Sequence, residues 1–170
     1  TVEHGMPVYP GDPPVHIRSI KTIEEDGWMI KQLRLGSHTG THVDAPAHMD
    51  VDGKTLDDMP LERFFGKARV VRSDADAFPA EIGLIFREGT LDASLLEKIV
   101  AAKPLFVVTG DEAELGIDLE RAVLKQDILT FTDLINLAEL PSDKAVMFYG
   151  IPLKIKNGDG SPIRAFAIVD

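Results

Sequence analysis

Cysteine is absent from the 170 residues. That excludes disulfides, thiolate metal sites and a cysteine nucleophile, and it agrees with a reducing, cytoplasmic setting. Basic residues are in deficit: 18 Lys and Arg face 28 Asp and Glu, for a net charge of −10. The few cations are scattered along the chain, which excludes the clustered positive surface that nucleic acid or anionic lipid requires. Apolar runs all fall short of the roughly 18 to 20 residues of a membrane span, and no signal-peptide pattern opens the chain. The first residue is Thr1 rather than Met, and the abrupt segment to Pro14 leads to the expectation of a preceding piece, including an N-terminal strand, outside this sequence.

What is present is the composition of a soluble globular domain, 44% hydrophobic and 27% charged, with a length suited to one domain over 1–170. Loose alternation predicts strands at Val15–Ile20 and Ile30–Leu35. Ala68–Arg72 and the unalternating run Leu105–Thr109 read as further strands, the second buried on both faces. Asp92–Ala102 reads as a helix with Asp92 as N-cap and an apolar stripe of Leu95/Ile99 and Leu96/Val100. A second helix is expected at Leu119–Lys125, then a strand at Ile128–Phe131 and a helix over Asp133–Leu140 capped by Thr132. Strands at Ala145–Tyr149, Ile151–Ile155 and Ala165–Val169 complete the reading, with a turn from Asn157 to Gly160. Helices among many strands imply an α/β domain with a largely covered sheet.

The chemistry concentrates in His38-Thr39-Gly40-Thr41-His42-Val43-Asp44-Ala45-Pro46-Ala47-His48, where three of the five histidines fall together. In an extended conformation, residues 38, 40, 42 and 44 share one face. Two imidazoles and a carboxylate would then flank the gap left by Gly40. Such a set binds Zn²⁺, Mn²⁺ or Fe²⁺ and leaves coordination positions open for water. The helical alternative, with His38 and His42 at i, i+4, is opposed by Gly40, two threonines and Pro46, and lacks the glutamate of the zinc-peptidase helix. His48 lies past Pro46, off the metal face, and suits an acid or base near neutral pH. The competing reading leaves all three histidines satisfied by backbone partners.

This segment resembles the signature of the cyclase-like family of metal-dependent hydrolases, which includes bacterial kynurenine formamidase and isatin hydrolase. Further matches follow in order: Met6-Pro7-Val8-Tyr9-Pro10-Gly11-Asp12-Pro13-Pro14, Gly53, Asp57, Arg63-Phe64-Phe65-Gly66, Ile151-Pro152-Leu153-Lys154 and Asp159-Gly160-Ser161-Pro162-Ile163-Arg164. The resemblance implies a single compact α/β domain with a mixed, barrel-like β-sheet and helices packed outside, of the swivelling β/β/α type, assembled as a homodimer or higher homo-oligomer. It implies a metal held by His38, His42 and Asp44, and His48 as the catalytic acid/base. Tyr9 falls where formamidases place a tryptophan beside the substrate ring.

The formamidases complete a second metal site with a histidine and a glutamate, and the corresponding positions here carry Glu120 and Thr132. One Zn or Mn per chain is therefore expected rather than two, with Glu120 as the candidate replacement in a second site. On general grounds Thr132 reads as a helix N-cap, and Glu120 and Asp133 as solvated carboxylates. Asp111, Glu112 and Glu114 read as a solvated loop in a shortened connection from Gly110 to Leu119, and Trp28 as a core or interface anchor. His4 and His16 have no assigned role. The implied activity is hydrolysis of an amide, formamide, lactam or lactone in a small-molecule substrate. The alternative is a relative that has lost hydrolysis and serves as a binding or assembly module.

Overall fold

A computed structural model describes residues 1–169. Ten strands follow in chain order: β1 (His16–Lys21), β2 (Ile30–Arg34), β3 (His42–Asp44), β4 (Phe65–Val71), β5 (Gly83–Leu91), β6 (Phe106–Leu115), β7 (Leu129–Leu134), β8 (Val146–Tyr149), β9 (Gly160–Pro162) and β10 (Phe166–Ile168). Three helices are α1 (Ile23–Asp26), α2 (Leu96–Ala102) and α3 (Ile117–Leu124). Eight strands form one mixed sheet in the order β10-β8-β4-β5-β6-β7-β3-β9, a half-barrel whose two edges stay unpaired with each other, while β1 and β2 form a separate antiparallel hairpin. The four central strands run parallel and the outer ones antiparallel. The expected mixed α/β sheet is present.

Consecutive residues of the central strands serve opposite faces. In β5 and β6, Ile85, Phe106 and Val108 join a core with Phe131 and Phe148, whereas Leu84, Phe86 and Val107 join a second core under α2 and α3 with Ile99, Leu119 and Val123. Double-sided burial explains why the Leu105–Thr109 run does not alternate. It also explains why β5 escaped the sequence reading, for its Leu84-Ile85-Phe86 run is equally unpatterned and then bulges before Glu88.

Several expectations are corrected. Residues 133–140 are not a helix: β7 continues through Leu134, and only Leu137–Glu139 makes a short 3₁₀ turn. Thr132 is therefore a strand residue, because pairing with β3 overrides its capping preference. The connection after Gly110 is not a loop, since β6 runs on to Leu115 beside β5. Ile151–Ile155 forms no strand, whereas Gly160–Pro162 does, added to the edge at β3. Trp28 is no core anchor, being 58% exposed beyond α1 at the tip of the hairpin.

Candidate metal centre and active site

β3 lies between β7 and β9, and its register sets the site. His42 stands opposite Thr132 and Asp44 opposite Thr130, while on the other side Asp44 stands opposite Gly160. Directly paired residues share a face, so His42, Asp44, Thr130 and Thr132 make a polar row on the side away from Val43, which enters the core. His42 is 8% and Asp44 1% exposed. Burying such groups is costly unless each finds a partner.

Each does. His42 Nδ1 donates to the Gly40 carbonyl at 2.6 Å, and its Nε2 lies 3.2 Å from Asp44 Oδ1 and 3.0 Å from the Thr132 hydroxyl. Asp44 Oδ2 accepts from Thr130 Oγ1 at 3.0 Å. Gly40 adopts φ +62°, a left-handed conformation that glycine takes without a Cβ clash. This turn corrects the extended reading of residues 38–44: only His42–Asp44 is strand, and His38 folds back to the same place from a tight turn. Its Nδ1 reaches Asp44 Oδ1 at 2.7 Å and its Nε2 reaches Asp159 Oδ2 at 2.8 Å. His48, on the 3₁₀ turn Pro46–His48, lays its ring against His38 with centroids 3.9 Å apart. Its Nδ1 is 3.8 Å from Asp159.

The electrostatics separate the histidines. Burial works against a charged His38, but hydrogen bonds to Asp44 and Asp159 outweigh it and raise its pKa to about 9. Asp44 is opposed by burial too, yet the two imidazoles hold it well below the usual carboxylate range. His48 moves the other way: burial first, then the neighbouring His38 charge, lowers its pKa. Glu120 is not a solvated carboxylate. It projects from α3 toward the row, 3.3 Å from Thr130 Oγ1, and burial followed by the Asp44 charge raises its pKa to about 7. Tyr9 is 67% exposed. Asp133 is exposed, at φ +57°, and its carbonyl accepts from Thr41.

His38, His42 and Asp44 each offer a ligand atom within 4.8 Å of the others. Ligands about 2.1 Å from a tetrahedral ion stand about 3.4 Å apart, and about 3.0 Å apart at right angles. The 2.7 and 3.2 Å separations on Asp44 Oδ1 fit such a site after a slight expansion. Donor chemistry and spacing therefore suit a divalent cation. Asp159 and Thr130 belong to this cluster although neither had an assigned role, Asp159 having entered only as the first residue of the matched Asp159–Arg164 segment. Asp159 read as part of a turn and Thr130 as an ordinary strand residue, and only their registers with β3 bring them in.

An α/β half-barrel with a His/His/Asp cluster around an inner strand defines the class, and comparison with known proteins agrees. The Cyclase family profile ("Putative cyclase") matches residues 1–109, and the chain belongs to that family. It is 30% identical to the kynurenine formamidase of Salinibacter ruber over 97% of this chain and 92% of that one. The kynurenine formamidase of Paracidovorax citrulli is 27% identical over 96% and 91%. Among solved structures, isatin hydrolase A from Ralstonia solanacearum superposes with a TM-score of 0.79 at 20% identity, covering 98% of this chain and 87% of that one. Isatin hydrolase A from Labrenzia aggregata, bound to benzyl benzoate, gives 0.75 at 23% identity over 98% and 90%. These structures share the fold.

Proposed function

We propose that the protein is a divalent-metal-dependent hydrolase that cleaves the carbon–nitrogen bond of an amide, formamide or lactam-like ring in a small molecule, as an arylformamidase does. The observation that carries this reading is the convergence of His38 Nδ1, His42 Nε2 and Asp44 Oδ1, with the His48 ring packed against His38. Near-full-length similarity to kynurenine formamidases supports the bond class. Zn²⁺ or Mn²⁺ bound there supplies a Lewis acid for a carbonyl oxygen and lowers the pKa of water.

His38, His42 and Asp44 hold the cation, and the buried β3 ladder keeps His42 and Asp44 in place. His48 takes a proton from the attacking water and returns it to the leaving nitrogen as the carbon–oxygen bond forms and the carbon–nitrogen bond breaks. Glu120 is the candidate ligand for a second cation. Thr132 stands where the second site's glutamate would be, so one cation per chain is the stoichiometry we assign. Tyr9 lies on the N-terminal segment whose Met6 approaches Gly40, and its exposed ring suits contact with a substrate ring.

The working unit is a homodimer. The β1–β2 hairpin exposes Ile20, Trp28, Met29 and Leu33 alongside Arg18, Lys31 and Arg34. An apolar, cationic arm on a chain of net charge −10 is complementary to a second copy.

Elemental mass spectrometry on protein purified without chelator, followed by a screen of formanilides, isatin-like rings, lactams and lactones, tests the reading. About one Zn or Mn per chain and turnover of a carbon–nitrogen substrate are expected. No turnover with any divalent cation loaded would overturn hydrolysis and favour a binding module.

A further inference from the structure

The Asp159 side chain is absorbed by neither the ligand set nor the proton-transfer role, yet the fold positions it closely. It immediately precedes β9, and its carbonyl accepts from Ala45 N at 2.9 Å, just past Asp44. The β3–β9 ladder thus pins the backbone at Asp159 and just after it, and the Leu56 N–H bond to the Gly158 carbonyl holds it just before. Gly160 completes the arrangement. A Cβ there would stand 2.5 Å from His38 Cε1 and 2.8 Å from the Val43 carbonyl. Only a residue without one lets the imidazole approach β9 this closely with Nε2 on the Asp159 carboxylate at 2.8 Å. The two partners are 121 residues apart in the chain.

From this geometry we infer that Asp159 is the positioning residue of the metal centre: it accepts the Nε2 proton of His38 and so presents the Nδ1 lone pair to the cation. This rests on the metal reading proposed above. The logic is that of an imidazole between two acceptors. Carboxylates only accept, so His38 without a cation donates from both nitrogens, Nδ1 to Asp44 and Nε2 to Asp159. A cation displaces the Nδ1 proton, and the Asp159 bond decides which proton remains. A histidine ligand whose other N–H is held by a carboxylate has a fixed tautomer, a fixed ring plane and greater basicity. The same carboxylate lies 3.8 Å from His48 Nδ1, so one acid orients a ligand and faces the neighbouring proton carrier.

Zinc affinity by chelator competition, on the full chain and on Asp159→Ala, Asp159→Asn and His42→Ala, tests this. Long-range ¹H–¹⁵N spectra of the zinc-loaded proteins give the tautomer of His38, and the melting temperature without metal checks folding. Asp159→Ala is expected to weaken zinc about 10- to 100-fold and to lose the single Nε2–H tautomer. Asp159→Asn keeps an acceptor but is a poor metal ligand, so it is expected to recover most of the affinity and the tautomer. Zinc affinity in Asp159→Ala within about threefold of the parent, with His42→Ala abolishing binding, would overturn the role of Asp159 and leave the metal reading standing. Loss of affinity in Asp159→Asn as severe as in Asp159→Ala would make Asp159 a ligand instead. No zinc binding by the parent chain overturns the metal reading itself, and this role with it.

Discussion

The β3 seam and the β1–β2 hairpin invert the ordinary distribution of side chains. In the seam, His42 and Asp44 are nearly sealed from solvent, and the polar partners on neighbouring strands meet their hydrogen-bonding needs. In the hairpin every residue of β2 is exposed, with Leu33 at 61%. A buried polar cluster is tolerated only where the surrounding sheet over-determines it, and the hydrogen bonds that hold the seam all come from this chain. An exposed apolar arm carries no such constraint, and its energetics depend on what covers it. Reacting groups and their surroundings therefore answer to different forces.

The comparison breaks first at His48. Replacing it with Ala should lower turnover about 100- to 10,000-fold while cation content, measured by elemental analysis, stays near that of the parent. Full activity in the variant would remove His48 from the mechanism. Next in size is the support beneath the seam: Phe131, paired with Val43 between Thr130 and Thr132 and packed edge-on against Phe106 and Phe148, should cost about 3 to 5 kcal/mol when cut to Ala, read from denaturant unfolding.

Glu120 gives a smaller, pH-dependent effect. Its folded pKa of about 7 exceeds its ordinary value of 4.5, so the folded chain holds a proton that the unfolded chain has released. The neutral carboxyl's stability is full below pH 4.5 and lost as pH rises through 7. Glu120→Gln should therefore raise the stability of the metal-free protein at pH 8, on the order of 2 kcal/mol, and flatten its pH dependence between those values. An unchanged pH profile would place the carboxylate in water. The smallest change in monomer stability belongs to the hairpin, where Leu33→Asp should shift unfolding by under about 0.5 kcal/mol yet move the sedimentation profile from dimer to monomer. A dimer that survives Leu33→Asp and Trp28→Asp would leave the arm without a partner.

Most of the motif was legible in the sequence because its parts are local. His38, His42, Asp44 and His48 lie within one short segment, so residue type and spacing carry the ligand set. The conformation that assembles them was less legible: a strand reaching back to His38 was expected, and a turn through Gly40 performs the task. Thr132 shows why the rest was obscured. Threonine before an acid matches a helix cap as well as a strand, and only the β3–β7 register, set by residues 90 positions away, decides between them. Glu120 went the same way. In an acidic chain a helical glutamate reads as solvated, and only the packing of α3 over β7 turns it inward.

The sequence by itself determined the donor chemistry, the single-domain α/β class and the exclusion of thiolate chemistry, since these follow from residue types and short-range periodicity. Tertiary structure alone decided that Asp159 meets His38, that Thr130 and Thr132 face the histidine row, and that Trp28 stands outside. Strand register is a long-range property, fixed by which apolar faces the sheet buries on either side, and no local pattern in this chain encodes it.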